Sequence, residues 1–189
     1  MSEWAVMARR VCNFCGILAL AAVVACGVLP FSAQAQAQTQ APAQPQAAPR
    51  YASLKASEVN MRKGPGTDYP VAWVFRRAGL PVKITREFEA WREVVDAEGT
   101  TGWVIRTLLS ARRTAQVLPW EVKEGQPRRQ EPLTEGRRAG SRPVALVEAG
   151  VIADVHECDG SWCNVSVGDF RGYIAQEKLW GVDKGERVE

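Results

Sequence analysis

The sequence predicts an all-β protein of two small β-barrels in tandem, following a signal peptide and an Ala/Gln/Pro leader. Three observations predict it. A pattern occurs twice: Gly79, Trp91, Gly102-Trp103-Val104 and Leu109 recur as Gly150, Trp162, Gly172-Tyr173-Ile174 and Leu179. Twelve residues separate Gly from Trp, and seven separate the second Gly from Leu, in both copies. Apolar residues alternate at Leu80, Val82 and Ile84, and again at Val151, Ala153 and Val155, the period of a strand. Turn clusters such as Lys63-Gly64-Pro65-Gly66, Ala97-Glu98-Gly99 and Asp159-Gly160 interrupt the chain at short intervals, leaving no room for a long amphipathic helix. Such self-similarity marks one small unit used twice.

The elements follow in chain order. Arg9-Arg10, an apolar run from Val11 to Leu29 and the small residues Ser32 to Ala35 have the order of a secretory signal peptide over 1–35, cleaved after Ala35 or Ala37. Val23-Val24-Ala25-Cys26 also resembles a lipoprotein box, with a lipid anchor at Cys26. The apolar continuation Val28 to Phe31 favours cleavage instead. Residues 36–50 hold Ala, Gln and Pro with almost no apolar bulk and are expected to be a disordered linker. The first unit is placed at 51–118, a linker at 119–131, a diverged second unit at 132–182 and a frayed tail at 183–189. The alternation fails after Ile84 and after Val155, which fits a long, strongly bent strand in each unit. Pro70 to Val74 is aligned with Pro143 to Val147.

Composition excludes several function classes. The 189 residues carry a formal charge of +3, and loss of the first 35 removes two Arg and one Glu, so nothing demands nucleic acid as a partner. No transmembrane span is expected after processing. His156 is the only histidine, so no zinc-ligand cluster or Cys-His pair is available. No metal, cofactor or catalytic residue is expected, and acids alone do not make a glycosidase pair without a deep cleft.

Cys158 and Cys163 are the cysteines left beyond the signal segment, which favours a disulfide. A four-residue loop, Asp159 to Trp162, places them directly opposite, with Cα atoms ~4.5–5.5 Å apart. A two-residue Asp159-Gly160 turn would put them on a diagonal of roughly 7–8 Å. The wider loop and the bond are preferred. Phe88 and Arg92 stand near these places in the first copy, which is expected to rely on packing.

Val59-Asn60-Met61-Arg62-Lys63-Gly64-Pro65-Gly66, with Trp91, Gly102-Trp103-Val104 and Leu109, resembles the signature of bacterial SH3-like domains. The second copy lacks the opening motif but matches well from Cys158 to Trp180. The resemblance implies a barrel of five to seven strands per unit and a non-catalytic binding role, with peptidoglycan peptides, envelope protein segments or a separate cell-wall enzyme as partners. A structural adaptor role, with the barrels forming protein–protein interfaces, is the alternative. Tyr69, Trp91 and Trp162 are the ligand-groove candidates, because an aromatic ring supplies contact area with few rotors to freeze. For Trp91 and Trp162 a barrel-lid position stands equally open. Asn60, Arg62, Gly64 and Gly66 are expected to fix the opening loop. Trp103 and Tyr173 are expected to be half-buried, Trp73 and Trp180 to lie in core or seam, and Trp120 to pack between the barrels. The address expected is periplasmic or secreted.

Overall fold

The computed structural model describes residues 48–189, which fall within one compact unit. The expected signal segment, nearly all of the leader and the Cys26 alternative lie outside the described residues. No helix among the described residues is long and apolar enough to cross a membrane.

Two antiparallel sheets carry the chain. The first contains β1 (Arg50–Leu54), β2 (Val59–Arg62), β3 (Val71–Phe75), β4 (Pro81–Phe88), β5 (Trp91–Val95), β6 (Thr101–Ile105) and β7 (Leu109–Ser110), in the order β3-β2-β6-β5-β4-β1-β7. The second contains β8 (Thr114–Val117), β9 (Gln130–Thr134), β10 (Pro143–Glu148), β11 (Ile152–Asp159), β12 (Trp162–Val167), β13 (Phe170–Ala175) and β14 (Leu179–Trp180). Its order, β10-β9-β13-β12-β11-β8-β14, repeats the first strand for strand, and β15 (Arg187–Val188) adds to β11. Three single-turn 3₁₀ segments are the helical elements among the described residues.

Each sheet encloses its own core. Leu54, Val59, Met61, Val82, Val94 and Val104 are sealed in the first. Val117, Leu133, Ala153, Val165, Ile174 and Leu179 fill the second. The repeated glycines have two causes. Gly79 and Gly150 sit at φ +78° and +85°, where a side chain is strained. A Cβ on Gly102 would lie 2.6 Å from Met61 Cγ, and one on Gly172 would lie 2.6 Å from the Thr134 carbonyl oxygen, so β6 and β13 need a bare backbone there. The broken alternation comes from β-bulges: the register of β4 with β5 skips Thr85, and that of β11 with β12 skips His156.

The structure corrects four expectations. Residues 114–117, assigned to the end of the first unit, pair with β11 and β14 and so open the second sheet as β1 opens the first. The tail is not frayed: Val188 is buried, and β15 pairs Cys158 with Val188 and Asp159 with Arg187. Trp120 is exposed, and the seam between barrels is closed instead by Tyr51 edge-on to Trp180 at 5.5 Å. Finally, the alignment of β3 with β10 slips by one residue, because bulges at Ala72 and Val144 make Trp73 equivalent to Ala145.

Polar contacts hold the seam. Lys83 Nζ meets Asp183 Oδ1 at 2.6 Å, Thr114 Oγ1 donates to the Gly79 carbonyl at 2.8 Å, and Arg77 Nη1 donates to the Gly150 carbonyl at 2.9 Å. Burial, with Asp183 and Glu186 nearby, pushes the Tyr51 phenol up to about 12.

Candidate binding surfaces

The opening loop of the first barrel is built around Tyr69. Arg62 Nη1 donates to the carbonyls of Thr67 (3.0 Å) and Tyr69 (2.6 Å). The Tyr69 ring lies against Gly64 and Gly66: a Cβ on Gly64 would overlap the ring, and one on Gly66 would stand 3.2 Å from it. Tyr69 nevertheless keeps 48% of its surface in water. Asn60 is exposed on β2, opposite Val74. Trp91 is half-buried between Phe88 and Ile105 in register. Trp162 is half-buried opposite Ala175 and lines a shallow cleft with Gln176 and Lys184. The structure does not gather Tyr69, Trp91 and Trp162 into one groove.

A cleft that the sequence reading missed lies elsewhere on the first barrel. It measures about 740 Å³ and is lined by Trp73, Arg76, Leu80, Pro81, Asp96 and Glu98, among others, with Gln116 of β8 from the second barrel in its wall. Trp73 is 55% exposed rather than core. Phe75, two residues along the same strand, is buried, so local alternation carries no warning. Both residues lie on β3, the edge strand of the sheet, so edge position alone does not separate them. Asp96 is committed to the turn, where its Oδ1 accepts from the Glu98 and Thr100 backbone amides at 3.1 and 2.7 Å. Arg76 and Glu98 stand exposed at the cleft.

The second barrel carries a cleft of about 520 Å³ at the equivalent place, between β10 and the β12–β13 turn. Here Ala145 replaces Trp73, Val167 replaces Asp96 and Glu148 replaces Arg76, and Leu146, Val151, Phe170 and Asp169 complete the lining. Leu146 is 62% exposed.

The hairpins beside Trp91 and Trp162 differ in how they are clamped. Cys158 directly opposes Cys163, their Cα atoms are 4.1 Å apart, and they form the expected disulfide. The four-residue loop expected is instead a two-residue Gly160-Ser161 turn, because β11 runs to Asp159 and β12 starts at Trp162. Asp159 Oδ1 shapes the turn by accepting from the Ser161 and Trp162 amides at 2.9 and 2.8 Å. Those two amides hold its carboxyl below the usual range. Counting from the bulges, the disulfide positions correspond to Glu87 and Arg92, not to Phe88 and Arg92. The first barrel does not rely on packing alone: Arg92 Nη2 meets Glu87 Oε2 at 3.0 Å across the same strand pair. One residue pair away, Glu93 is paired with Arg86, and their hydrogen bond lowers the Glu93 pKa. The Arg86 guanidinium stacks over Trp103 at 5.5 Å, as Arg137 stacks over Tyr173 at 5.1 Å. Trp103 and Tyr173 are half-buried, as expected.

The described residues form two small β-barrels in tandem, each with a solvent-open cleft. The bacterial SH3 domain model matches residues 55–111 and 122–181, more than half of the chain, and the chain belongs to that family. Domains of this family are typically non-catalytic binding modules. Among solved structures, NlpC2 and NlpC1 from Trichomonas vaginalis are similar at 13% and 15% identity, with TM-scores of 0.31 and 0.30. The similarity covers 70% and 74% of this chain but 48% and 47% of theirs, so the chain spans about half their length. No curated protein matches the chain.

Proposed function

We propose that this protein is a non-catalytic binding protein, exported to the bacterial cell envelope, that takes peptide ligands in the first-barrel cleft. The observation that supports this best is Trp73, 55% exposed in a cleft that Leu80 and Pro81 line together with Arg76, which also meets Glu58 at 3.4 Å, and Glu98. An aromatic surface with charges of both signs suits a short zwitterionic peptide, whose carboxylate would meet the arginine and whose amine would meet the acid. Peptidoglycan stem peptides have that chemistry, and the terminal segment of an envelope protein shares it. The signal-like segment at 1–35 and the Cys158–Cys163 bond support an oxidising, extracytoplasmic address.

Muropeptides titrated against the full chain should change its tryptophan fluorescence. Trp73→Ala should weaken binding by about tenfold or more, as loss of a central aromatic anchor does. No change at millimolar ligand would reject the wall-peptide reading. A second reading, an adaptor that holds another protein, is favoured for the second barrel, whose cleft offers exposed Leu146 and Phe170 with only acids, Glu148 and Asp169, as its charged lining.

A further inference from the structure

The strand-for-strand repeat lets each surface of one barrel be compared with its counterpart. On the second barrel, the chain's own tail covers the ground beside the hairpin end. Val188 and Arg187 pair with Cys158 and Asp159 at the end of β11. Gln176 Nε2 donates to the carbonyls of Asp183 (2.6 Å) and Glu186 (3.0 Å). The Glu186 carboxylate accepts from Arg113 Nη1 at 2.8 Å. A tight turn over Asp183 to Glu186, closed by the Glu186 amide donating to the Asp183 carbonyl at 3.0 Å, is therefore held by an amide side chain and an arginine. The two-residue strand after it is held by a strand edge.

The ladder identifies the first-barrel counterparts. Glu87 and Phe88 correspond to Cys158 and Asp159, and Arg50 corresponds to Arg113. Arg106 corresponds to Gln176: each begins the 3₁₀ turn, and their backbone amides donate to the hairpin carbonyls of Ala90 and Ser161 at 2.7 and 2.8 Å. Among the described residues no strand pairs the outer edge of β4 at Glu87 and Phe88. An open cleft of about 340 Å³ lies next to that edge, on β4 at Ile84, lined by Arg50, Arg92, Arg106 and Arg113 with Tyr51 and Leu109. Glu87 answers Arg50 at 2.6 Å and Arg92 at 3.0 Å, and Glu186 answers Arg113. Arg106 is exposed and has no acidic partner among the described residues, and Arg113 Nε is buried without an acceptor.

We propose that this arginine cleft binds an acidic peptide segment that turns as the tail does and adds a short strand to the free edge of β4, with a carboxylate against Arg50 and Arg106. The ligand would add a strand there, as the tail does on the second barrel. Backbone hydrogen bonds to the edge supply affinity, and the arginine forks select the carboxylate. The site is separate from the Trp73 cleft.

The tail supplies the probe. A fluorescent synthetic peptide with the sequence of residues 182–189 is titrated against the full chain and followed by anisotropy. Saturable binding is expected. It should weaken by about tenfold or more with Arg106→Glu in the protein, or with Glu186→Gln in the peptide, as losing one partner of a charge pair does. It should be unchanged by Trp73→Ala, which separates this site from the cleft above. Arg106→Gln gives a second variant if Arg106→Glu alters the near-ultraviolet circular dichroism. Absence of saturation at millimolar peptide would overturn the proposal. Equal affinity for the Arg106 variants would overturn it too, because the peptide would then be exchanging with the tail on the second barrel.

Discussion

The two barrels share a strand order and a core pattern, but they solve the same local problems with different chemistry. At the end of the long hairpin, the second barrel uses a covalent clamp, Cys158–Cys163, where the first uses the Glu87–Arg92 ion pair. Beside that hairpin the second barrel is covered by residues 183–188, whereas the first leaves four arginines around an open cleft. At the far side both carry a cleft, with Arg76, Asp96 and Glu98 among the lining of the first and only the acids Glu148 and Asp169 as charges in the second. A duplicated fold has thus kept its glycines and core while its surface chemistry diverged. The second barrel is closed on itself at a place where the first is open.

The largest effect should come from the covalent clamp. Cys158→Ala with Cys163→Ala should cost about 2 to 3 kcal/mol, the order that chain entropy and small native disulfides suggest. Urea denaturation measures it, and hydrogen exchange at the Val188 amide should rise in the same variant, because β15 hangs on the hairpin that the bond closes. Unchanged stability would show that the clamp is ornamental and that the two hairpins are equivalent.

The opening loop gives the next effect. Gly64→Ala should cost about 1 to 2 kcal/mol, since its Cβ would push into the Tyr69 ring. Adding Tyr69→Ala should remove most of that cost, so the two changes should be strongly non-additive in thermal melts. Additive costs would mean that Tyr69 does not lean on the loop.

Smallest of the three is the ion pair that stands where the disulfide would be. Glu87→Gln should cost no more than about 1 kcal/mol, the usual range for a pair with one partner in reach of water. Higher salt should shrink the difference. A loss as large as that from the cysteine pair would erase the contrast between covalent and ionic clamps.

Much of this architecture was legible in the sequence because its causes are local. Gly102 and Gly172 are forced by close backbone approach, and the spacing from Gly to Trp reports a strand, a two-residue turn and a return strand. The disulfide was legible because two cysteines five positions apart suit a closed hairpin. The bulges were visible as broken alternation, but their effect on register was not, so Trp73 was aligned one residue away from its true equivalent, Ala145. The candidate sites were harder to read. Whether an aromatic is exposed depends on what the rest of the fold packs over it: Trp73 and Phe75 share the edge strand β3, and one is exposed while the other is buried. The arginine cleft joins Arg50, Arg92, Arg106 and Arg113 from four separate segments, which no spacing rule connects. The tail's role was hidden because its polar residues read as solvated, while its hold depends on Gln176, Arg113 and a strand edge.

The central claim is that ligand chemistry belongs to the first barrel, at Trp73. The most direct test follows amide and indole chemical shifts of the full chain while a stem peptide is added. The account predicts saturable shifts at the Trp73 indole and at the amides of Arg76, Glu98 and Thr100, with the second-barrel cleft around Leu146 and Phe170 silent. Shifts confined to the second barrel, with Trp73 unmoved, would contradict it.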